Sequence, residues 1–199
     1  MSSVTGLILA GGRSRRMGRD KALLPLPGAA QQTFLQHLIA VLTPTCSEVL
    51  LVARDAAQAS LYRDYVSDAV RIITDQTADR GPLMGLYSGL CAAQASHVLV
   101  TAVDMPCVQP ALLSFLLAQP LDDAVILPIV ENAPQVMLAI YPRSILPTVE
   151  ACLRAGQRGP RSLLQQVPVW PLSEEQLRAS DPQLRSFINI NRPEELQAL

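Results

Sequence analysis

Short runs of apolar residues, bounded by turn residues, alternate along this chain with segments of helical spacing. Five of these runs predict strands: Val4–Leu9, Val49–Ala53, Val70–Thr74, Val98–Val103 and Ala124–Leu127. Apolar residues three and four apart predict helices between them, around residues 34–42, 62–66, 83–93 and 112–117. Strands that are apolar on both faces are typical of parallel sheets covered by helices. The pattern predicts an α/β fold, with a doubly wound, mostly parallel sheet and helices on both faces.

The pattern changes after about Pro128. Val136–Tyr141 and Val167–Trp170 predict two more strands, and Ile145–Ala155 predicts a helix that ends at Gly156. An irregular tail is expected after these elements. Because the 199 residues contain neither an internal repeat nor an interdomain linker, the sequence predicts a single domain over residues 1–199.

The overall composition argues against two classes of partner and favours one location. The formal net charge is −1, so no general basic field would attract nucleic acid or an anionic membrane. The apolar run near the N-terminus is too short for a signal peptide or a membrane span, which favours the cytoplasm. Four widely spaced cysteines are expected to be reduced thiols, buried or half-buried: Cys46, Cys91, Cys107 and Cys152.

The first predicted strand leads directly into a basic loop with paired glycines, Gly11–Lys21, which holds five of the sixteen lysines and arginines of the chain. Glycine lets backbone N–H groups approach phosphate oxygens closely, and arginine and lysine add charged donors. The glycine spacing fits neither a Walker P-loop nor a dinucleotide fingerprint. The alternative is a solvated basic turn. The predicted nucleotide triphosphate site comprises Leu9, Ala10, Gly11, Gly12, Arg13 and Lys21.

Asp104 lies at the end of the apolar run Val98–Val103, two residues before Pro106. A carboxylate beside a triphosphate would repel it unless a hard cation lay between them, so this position predicts a ligand of Mg²⁺. The alternative is that Asp104 forms a turn or caps a helix, as aspartate often does after a strand.

A third candidate segment begins at Asp75, directly after the third predicted strand. Gly81 and Pro82 follow, just ahead of a predicted helix. A helix N-terminus offers free N–H groups and a positive dipole end to an anion. The alternative is a loop and a capped helix that bind nothing.

Four motifs resemble those of the molybdenum cofactor guanylyltransferase (MobA) family of nucleotidyltransferases. They are Leu-Ala-Gly-Gly-x-Ser-x-Arg-Met-Gly-x-Asp-Lys at 9–21, Gly-Pro-Leu-x-Gly at 81–85, Asp-x-Pro at 104–106 and Asn-x-Asn-x-Pro-Glu-Glu-Leu at 189–196. The resemblance extends over nearly the whole chain, from Leu7 to Leu196. It implies a Rossmann-like nucleotidyltransferase domain in which residues 1–128 bind mainly the nucleotide and residues 129–199 bind mainly the acceptor.

The resemblance also implies a reaction. The terminal phosphate of molybdopterin would attack the α-phosphorus of GTP, release pyrophosphate and form molybdopterin guanine dinucleotide. A molybdoenzyme or another cofactor-biosynthesis protein would then be a partner. Because a phosphate monoester is largely ionised at neutral pH, no strong general base is needed, and neither His37 nor His97 is predicted to act.

The resemblance assigns roles to residues in each motif. Lys21, Arg16 and Asp104 would be catalytic, with Mg²⁺ held at Asp104. Asp75 and Gly81 would lie at the nucleotide. The acceptor would lie near Arg158, Arg161, Asn189 and Asn191, although the arginines also fit a solvated turn and Asn191 also fits a helix cap.

One departure from the family pattern concerns the nucleotide base. Family members often carry Asn at the end of the second strand, where this chain has Leu51-Val52-Ala53-Arg54. Guanine selectivity is therefore less firmly predicted than nucleotidyl transfer. The alternatives are a cytidylyltransferase of the same fold, a sugar-phosphate nucleotidyltransferase, and a noncatalytic module that delivers molybdopterin.

Overall fold

The strands and helices follow the alternation seen in the sequence. The computed structural model describes residues 4–12, 20–27, 32–191 and 195. Its strands are β1 (Val4–Leu9), β2 (Glu48–Ala53), β3 (Val70–Thr74), β4 (His97–Ala102), β5 (Val125–Val130), β6 (Ala133–Pro134), β7 (Leu138–Pro142) and β8 (Val169–Leu172). Its α-helices are α1 (Phe34–Leu42), α2 (Ala56–Tyr62), α3 (Pro82–Ala92), α4 (Pro110–Leu117), α5 (Leu146–Arg154) and α6 (Glu174–Arg178).

All of these strands belong to one sheet in the order β3-β2-β1-β4-β7-β5-β6, with β8 paired to β5. The neighbours β3, β2, β1 and β4 are parallel, and β8 is parallel to β5. Strand β7 lies between β4 and β5 and is antiparallel to both. The predicted mostly parallel sheet is confirmed. Since the chain proceeds from β1 outward to β3 and then returns to β4, the strand order switches between β1 and β4, where ligand crevices open in such sheets.

Helices cover both faces of the sheet, as the doubly wound pattern predicts. One apolar cluster joins the sheet to α1, α2, α4 and α6, and the other joins it to α3 and α5. The central strand β1 contributes to both, because successive strand side chains point to opposite faces: Ile8 packs in the first cluster and Leu7 and Leu9 in the second. This double burial explains why β1 has no polar face.

Several details differ from the sequence-based expectation. The helix predicted around residues 62–66 is α2, Ala56–Tyr62, which ends where the predicted helix begins. The expected irregular tail contains α6, whose start is fixed by reciprocal capping between Ser173 and Gln176. A 3₁₀ turn at Arg143–Ile145 precedes α5, and β7 begins two residues later than predicted. Cys91 is exposed, so the expectation of four buried or half-buried thiols is wrong for this residue.

The predicted division between residues 128 and 129 falls inside β5, which is continuous across that point. The division into nucleotide and acceptor halves therefore stays a prediction about ligands rather than a break in the fold. Among the helices of the described residues, none is both long enough and apolar enough to cross a membrane.

Candidate active site

A cleft of about 570 Å³ opens at the carboxyl ends of β1, β2, β3 and β4. It lies at the edge where the strand order switches. Its lining combines segments from both ends of the described chain. The lining residues are Leu9, Ala10, Gly11, Gly12, Lys21, Val52, Asp75, Asp79, Gly81, Pro82, Gly85, Ala102, Val103, Asp104, Met137, Asn189 and Asn191.

The floor of the cleft is fixed by backbone hydrogen bonds beyond the ends of the strands. The N–H of Ala10 donates to the carbonyl of Val52 at 3.0 Å, and the N–H of Val103 donates to the carbonyl of Leu9 at 3.0 Å. These two bonds extend the parallel hydrogen-bonding pattern of β1 with β2 and with β4 by one residue beyond the ends of the strands. The glycines that follow β1 are therefore held at the mouth of the cleft.

Gly11 lies in a position with little room for a side chain, and its predicted contact with phosphate stays a prediction. A Cβ at this position would lie 3.2 Å from Oδ2 of Asp75 and 3.5 Å from the N of Arg54. A side chain at this position would require the Asp75 carboxylate to shift by a few tenths of an ångström. Gly12, in contrast, is exposed and has open space around the position of a Cβ. Ligand contact at Gly12 stays a prediction.

Lys21 reaches into the cleft from a 3₁₀ turn, Lys21–Leu23, whose N-cap is Asp20. Its Nζ lies 2.9 Å from Oδ1 of Asn191 and 3.4 Å from Oδ2 of Asp104. Lys21 is also the only lysine in the sequence. Its side chain is 13% exposed and that of Asp104 is 29% exposed, so their attraction is less screened than that of a surface ion pair.

Asp104 follows β4 and is held on its backbone side by the C-terminal segment. Its carbonyl accepts a hydrogen bond from the N–H of Ile190 at 2.8 Å. This bond brings the flanking Asn189 and Asn191 to the same wall of the cleft. Residues far apart in sequence, at 21, 104 and 191, thus meet at one point.

The Asp104 carboxylate could be one protein ligand of a hard cation whose other ligands are substrate phosphates and water. Within the described part of the chain, no group of three His, Cys, Asp or Glu side chains could hold a metal ion. Mg²⁺ is commonly bound by one or two carboxylates together with substrate phosphates and water. The cleft lining contains three carboxylates, Asp75, Asp79 and Asp104, and one ammonium, Lys21, so a polyphosphate would need additional positive charge.

Asp75 is half-buried in the cleft wall and lies between Gly11, after β1, and Gly85 of α3. Its Oδ1 is buried without a hydrogen-bond partner and lies 3.6 Å from the position of a Cβ at Gly85. Burial, with a smaller effect from the negative charge of Asp79, raises the pKa of Asp75 to about 6. An acceptor left unpaired in this way is suited to N–H or O–H donors of a ligand.

Helix α3 begins where the sequence predicts. One of the N–H groups at its start, however, is already paired with a protein carbonyl and is not available to an anion. Gly81 is the N-cap, with φ of 86°, and a Cβ there would lie 2.7 Å from the carbonyl oxygen of Arg158. That same carbonyl accepts the N–H of Leu83 at 2.9 Å. The guanidinium of Arg158 donates to the carbonyl of Asp79. Arg158 therefore stabilises the segment between Asp79 and Leu83 through both its backbone and its side chain.

The cleft brings together most of the predicted site residues. Neither Arg158 nor Arg161 lines the cleft, and both are exposed. Arg13 and Arg16 lie outside the described residues, as do residues 192–194 of the helix that Asn191 was predicted to cap. The residues that the structure does bring together are Leu9, Ala10, Gly11, Gly12, Lys21, Asp75, Gly81, Asp104, Asn189 and Asn191.

The sequence reasoning missed a polar cluster behind the cleft, formed by Asp20, Gln58 and Tyr62. The Asp20 carboxylate accepts hydrogen bonds from both other side chains, at 2.9 and 3.0 Å. Gln58 and Tyr62 stand four residues apart on α2, a spacing that places them on one helix face. That spacing is the available signal, but the sequence analysis used Tyr62 only as the start of a helix around residues 62–66.

Comparisons with known proteins agree with this architecture. The family model of the MobA-like NTP transferase domain matches residues 6–176. A Chloroflexus aggregans protein named "Probable molybdenum cofactor guanylyltransferase" is 35% identical over 197 residues, covering 98% of this chain and 92% of that protein. A Desulfosudis oleivorans protein named "Molybdenum cofactor guanylyltransferase" is 32% identical over 199 residues, covering 99% and 94%.

A solved structure extends the similarity to three dimensions. Molybdopterin-guanine dinucleotide biosynthesis protein A from Archaeoglobus fulgidus superposes with a TM-score of 0.84 at 26% identity, covering 98% of this chain and 96% of that one. The similarity therefore extends over nearly the whole fold. On the extent of these matches, the chain belongs to the family of MobA-like NTP transferases.

Proposed function

We propose that this protein transfers GMP from GTP to the phosphate of molybdopterin, giving molybdopterin guanine dinucleotide and pyrophosphate. The names of the full-length relatives support this reaction. The single structural observation that carries it is the meeting of Lys21 Nζ, Asp104 Oδ2 and Asn191 Oδ1 at the switch point of the sheet. These three residues belong to three of the four motifs shared with the family.

In the proposed reaction, a phosphate oxygen of molybdopterin forms a bond to the α-phosphorus of GTP. The bond from that phosphorus to the bridging oxygen of the β-phosphate breaks, and pyrophosphate leaves with the electron pair. The second pKa of a phosphate monoester is near 6, so the attacking oxygen is largely ionised at neutral pH. Proton abstraction by the protein is not required, in keeping with a cleft whose described lining contains no histidine.

The task of the protein is then to align two anions and to balance the charge that develops on the leaving group. Lys21 supplies a positive charge inside the cleft, and Arg13 and Arg16, which precede it in the sequence, are proposed to supply more. The glycine backbone at Gly11 and Gly12 is proposed to bind the phosphates. Asp75 is proposed to accept hydrogen bonds from the nucleotide.

Asp104 is proposed to hold Mg²⁺, with the remaining ligands coming from phosphate oxygens and water. When bound, the ion would neutralise phosphate charge and orient the phosphates for in-line attack. Lys21 lies close enough to Asp104 to hold its carboxylate at the phosphate end of the cleft.

The acceptor is proposed to lie along the wall that carries Asn189 and Asn191. Met137, from the segment before β7, adds an apolar surface to the cleft lining. Arg158 and Arg161 are proposed to contact the acceptor from outside the cleft lining. A cytoplasmic location, and delivery of the product to a molybdoenzyme, stay predictions.

A second candidate is supported by one observation. The cleft lining includes Val52, near the end of β2, where the family often has Asn, so a side-chain hydrogen bond expected there is missing. Cytidylyl transfer in the same fold is the corresponding alternative.

The deciding experiment is incubation of the protein with molybdopterin, Mg²⁺ and each nucleoside triphosphate separately, followed by mass analysis of the pterin product. The guanine dinucleotide, formed from GTP alone, is the expected result. The cytosine dinucleotide would support the alternative. Nucleotide binding without any dinucleotide would contradict the proposed reaction and favour a delivery module.

A further inference from the structure

We propose that Asp20, Gln58 and Tyr62 form a positioning network that fixes Lys21 at the phosphate end of the cleft. This inference rests on the proposed function, because it concerns the residue proposed to balance phosphate charge. None of the three network residues lines the cleft. Their effect on a ligand would therefore be transmitted through Lys21.

The three side chains are closely connected, and two of them are buried. Nε2 of Gln58 donates to Oδ2 of Asp20 at 2.9 Å and to the carbonyl of Ala10 at 3.2 Å. The hydroxyl of Tyr62 lies 3.0 Å from each Asp20 carboxylate oxygen and 3.4 Å from the same carbonyl. Gln58 is 4% exposed and Tyr62 is fully buried. Polar groups placed so deep are costly unless they are paired, and here they are paired with each other.

Each member of the network has its hydrogen-bonding capacity used in one arrangement. Oε1 of Gln58 accepts the N–H of Arg54 at 2.8 Å, which fixes the orientation of its amide. Burial, and then the Asp20 carboxylate, raise the pKa of Tyr62, so its hydroxyl is a donor at any ordinary pH. The network therefore permits one position of the Asp20 carboxylate.

Asp20 is joined to Lys21 both by the chain and by the turn that Lys21 begins. Its Oδ1 accepts the N–H of Ala22 at 3.0 Å and so caps the 3₁₀ turn. Ala10 and Asp20 stand on either side of residues 11–19, and α2 binds both of them. The network thus connects both Ala10, just before the glycines, and the backbone next to Lys21 to the same helix, α2.

The competing explanation is that Asp20, Gln58 and Tyr62 only stabilise the fold. The presence of a single lysine in the sequence allows the two explanations to be distinguished, because the order of Lys21 can be measured directly. Because Lys21 is the only lysine, reductive methylation with ¹³C-formaldehyde labels one side chain besides the terminal amine. Dimethylation retains the positive charge. The chemical shift and line width of that resonance report the order of Lys21 without any substrate.

Tyr62→Phe removes one hydroxyl from the network, and Tyr141→Phe is its matched control. Tyr141 is also fully buried, and its hydroxyl donates to the carbonyl of Val136 at 2.8 Å in the other apolar cluster. In Tyr62→Phe, we expect the Lys21 resonance to move toward its position in urea-unfolded protein. In Tyr141→Phe, we expect it to stay in place. Equal responses of the two variants, or no response in Tyr62→Phe, would overturn the inference.

Kinetics supply a second readout through a double-mutant cycle. Tyr62→Phe is expected to lower kcat/KM for GTP about tenfold, the usual scale for losing a hydrogen bond to a charged group, in a background that contains Lys21. With Lys21→Ala, the same substitution is expected to have little further effect, because its target is gone. A full, independent loss in both backgrounds would contradict a positioning role.

The same set of variants separates failure of the inference from failure of the proposed function. If the wild-type protein forms no dinucleotide from GTP, the proposed function fails, while the resonance of Lys21 still decides the positioning role. Asp20→Asn keeps the shape of the side chain and one oxygen for the cap but removes the negative charge and one acceptor of the network. It should displace the resonance in the same direction as Tyr62→Phe, and an unchanged resonance in both variants would count against the network.

Discussion

Nζ of Lys21 donates a hydrogen bond to Oδ1 of Asn191 at 2.9 Å, across 170 positions of sequence. The same Nζ lies 3.4 Å from Oδ2 of Asp104. The bond therefore joins the segment after the first strand to the C-terminal segment, with the loop after β4 between them. Because the cleft is built from three segments that are distant in the sequence, their relative positions depend on the sheet that carries them.

Replacement of Lys21 should affect turnover far more than folding. Lys21→Ala is expected to lower kcat about 10²–10³-fold, the range seen when one preorganised group that stabilises developing charge is removed. Pyrophosphate release gives the rate, and thermal unfolding tests the fold. Arg178→Ala, which removes a surface partner of Glu174 on α6, is the matched loss of one positive charge. Equal activity of the two variants would remove Lys21 from the mechanism.

Asp104→Ala is expected to reduce turnover by a similar factor of about 10²–10³ and to weaken the response to Mg²⁺. A titration of activity against Mg²⁺ concentration measures this response. The exposed Asp123, changed to Asn, controls for the loss of a carboxylate near the same sheet. If Asp104→Ala retained the wild-type Mg²⁺ dependence, the ion would have to be bound elsewhere.

Asp75 should make the folded protein less stable as the pH rises from about 4 to about 6. Its pKa is raised from 3.8 to about 6 in the folded state, so the folded protein holds a proton that the unfolded chain has released. Folding stability contributed by this group is present at low pH and is lost through that window. Asp79, which also faces the cleft, adds to the effect.

Asp75→Asn should remove this pH dependence. Urea unfolding of the variant and the wild type should give a difference in free energy of unfolding that grows in favour of Asn up to about pH 6 and is constant above it. The same variant should bind GTP more weakly if Asp75 contacts the nucleotide. A difference that is flat from pH 4 to pH 8 would show that Asp75 is not held at a raised pKa.

Gly89 marks the closest approach of α3 to β1. A Cβ at Gly89 would lie 2.2 Å from Cδ2 of Leu7, which is fully buried. Gly89→Ala should therefore destabilise the protein by about 1–2 kcal/mol, because overpacking outweighs the gain of about 1 kcal/mol in helix propensity. Chemical unfolding measures the change.

Gly159→Ala is the control for Gly89→Ala, since nothing lies within 4 Å of its Cβ position and its φ is −115°. It should change the free energy of unfolding by less than about 0.5 kcal/mol, as is usual at surface positions without special contacts. Similar changes in the free energy of unfolding for the two variants would mean that the Leu7 side chain moves aside to accommodate the new methyl group.

Much of the fold follows from local patterns, because burial on both faces leaves a clear sign in the sequence. The predicted bounds Val4–Leu9 and Val70–Thr74 match β1 and β3 without adjustment. The direction of β7 could not be predicted, since an apolar run has the same pattern in a parallel and an antiparallel neighbour. Helix α6 was missed because it is only five residues long and buries one side chain, Leu177. A single apolar residue does not form the repeating pattern by which a helix is recognised in a sequence.

The candidate site was predicted where a residue type alone suggests its chemistry, as at Lys21 and Asp104. The partners of those residues could not be predicted, because they depend on distances between segments. Tyr62 shows the difference most clearly: in sequence it is one aromatic residue of an apolar stripe, and in the structure its hydroxyl faces Asp20. A buried hydroxyl has no signature in the sequence when its partner lies 42 positions away.

The hydrogen bond from the N–H of Ile190 to the carbonyl of Asp104 also bears on how the cleft opens. Among the described residues, the last strand ends at Leu172, so Asn189 and Asn191 belong to a segment outside the sheet. Segments of this kind open locally at a lower free energy than core strands do. Local opening of this segment would separate Asn191 from Lys21 while leaving the sheet intact.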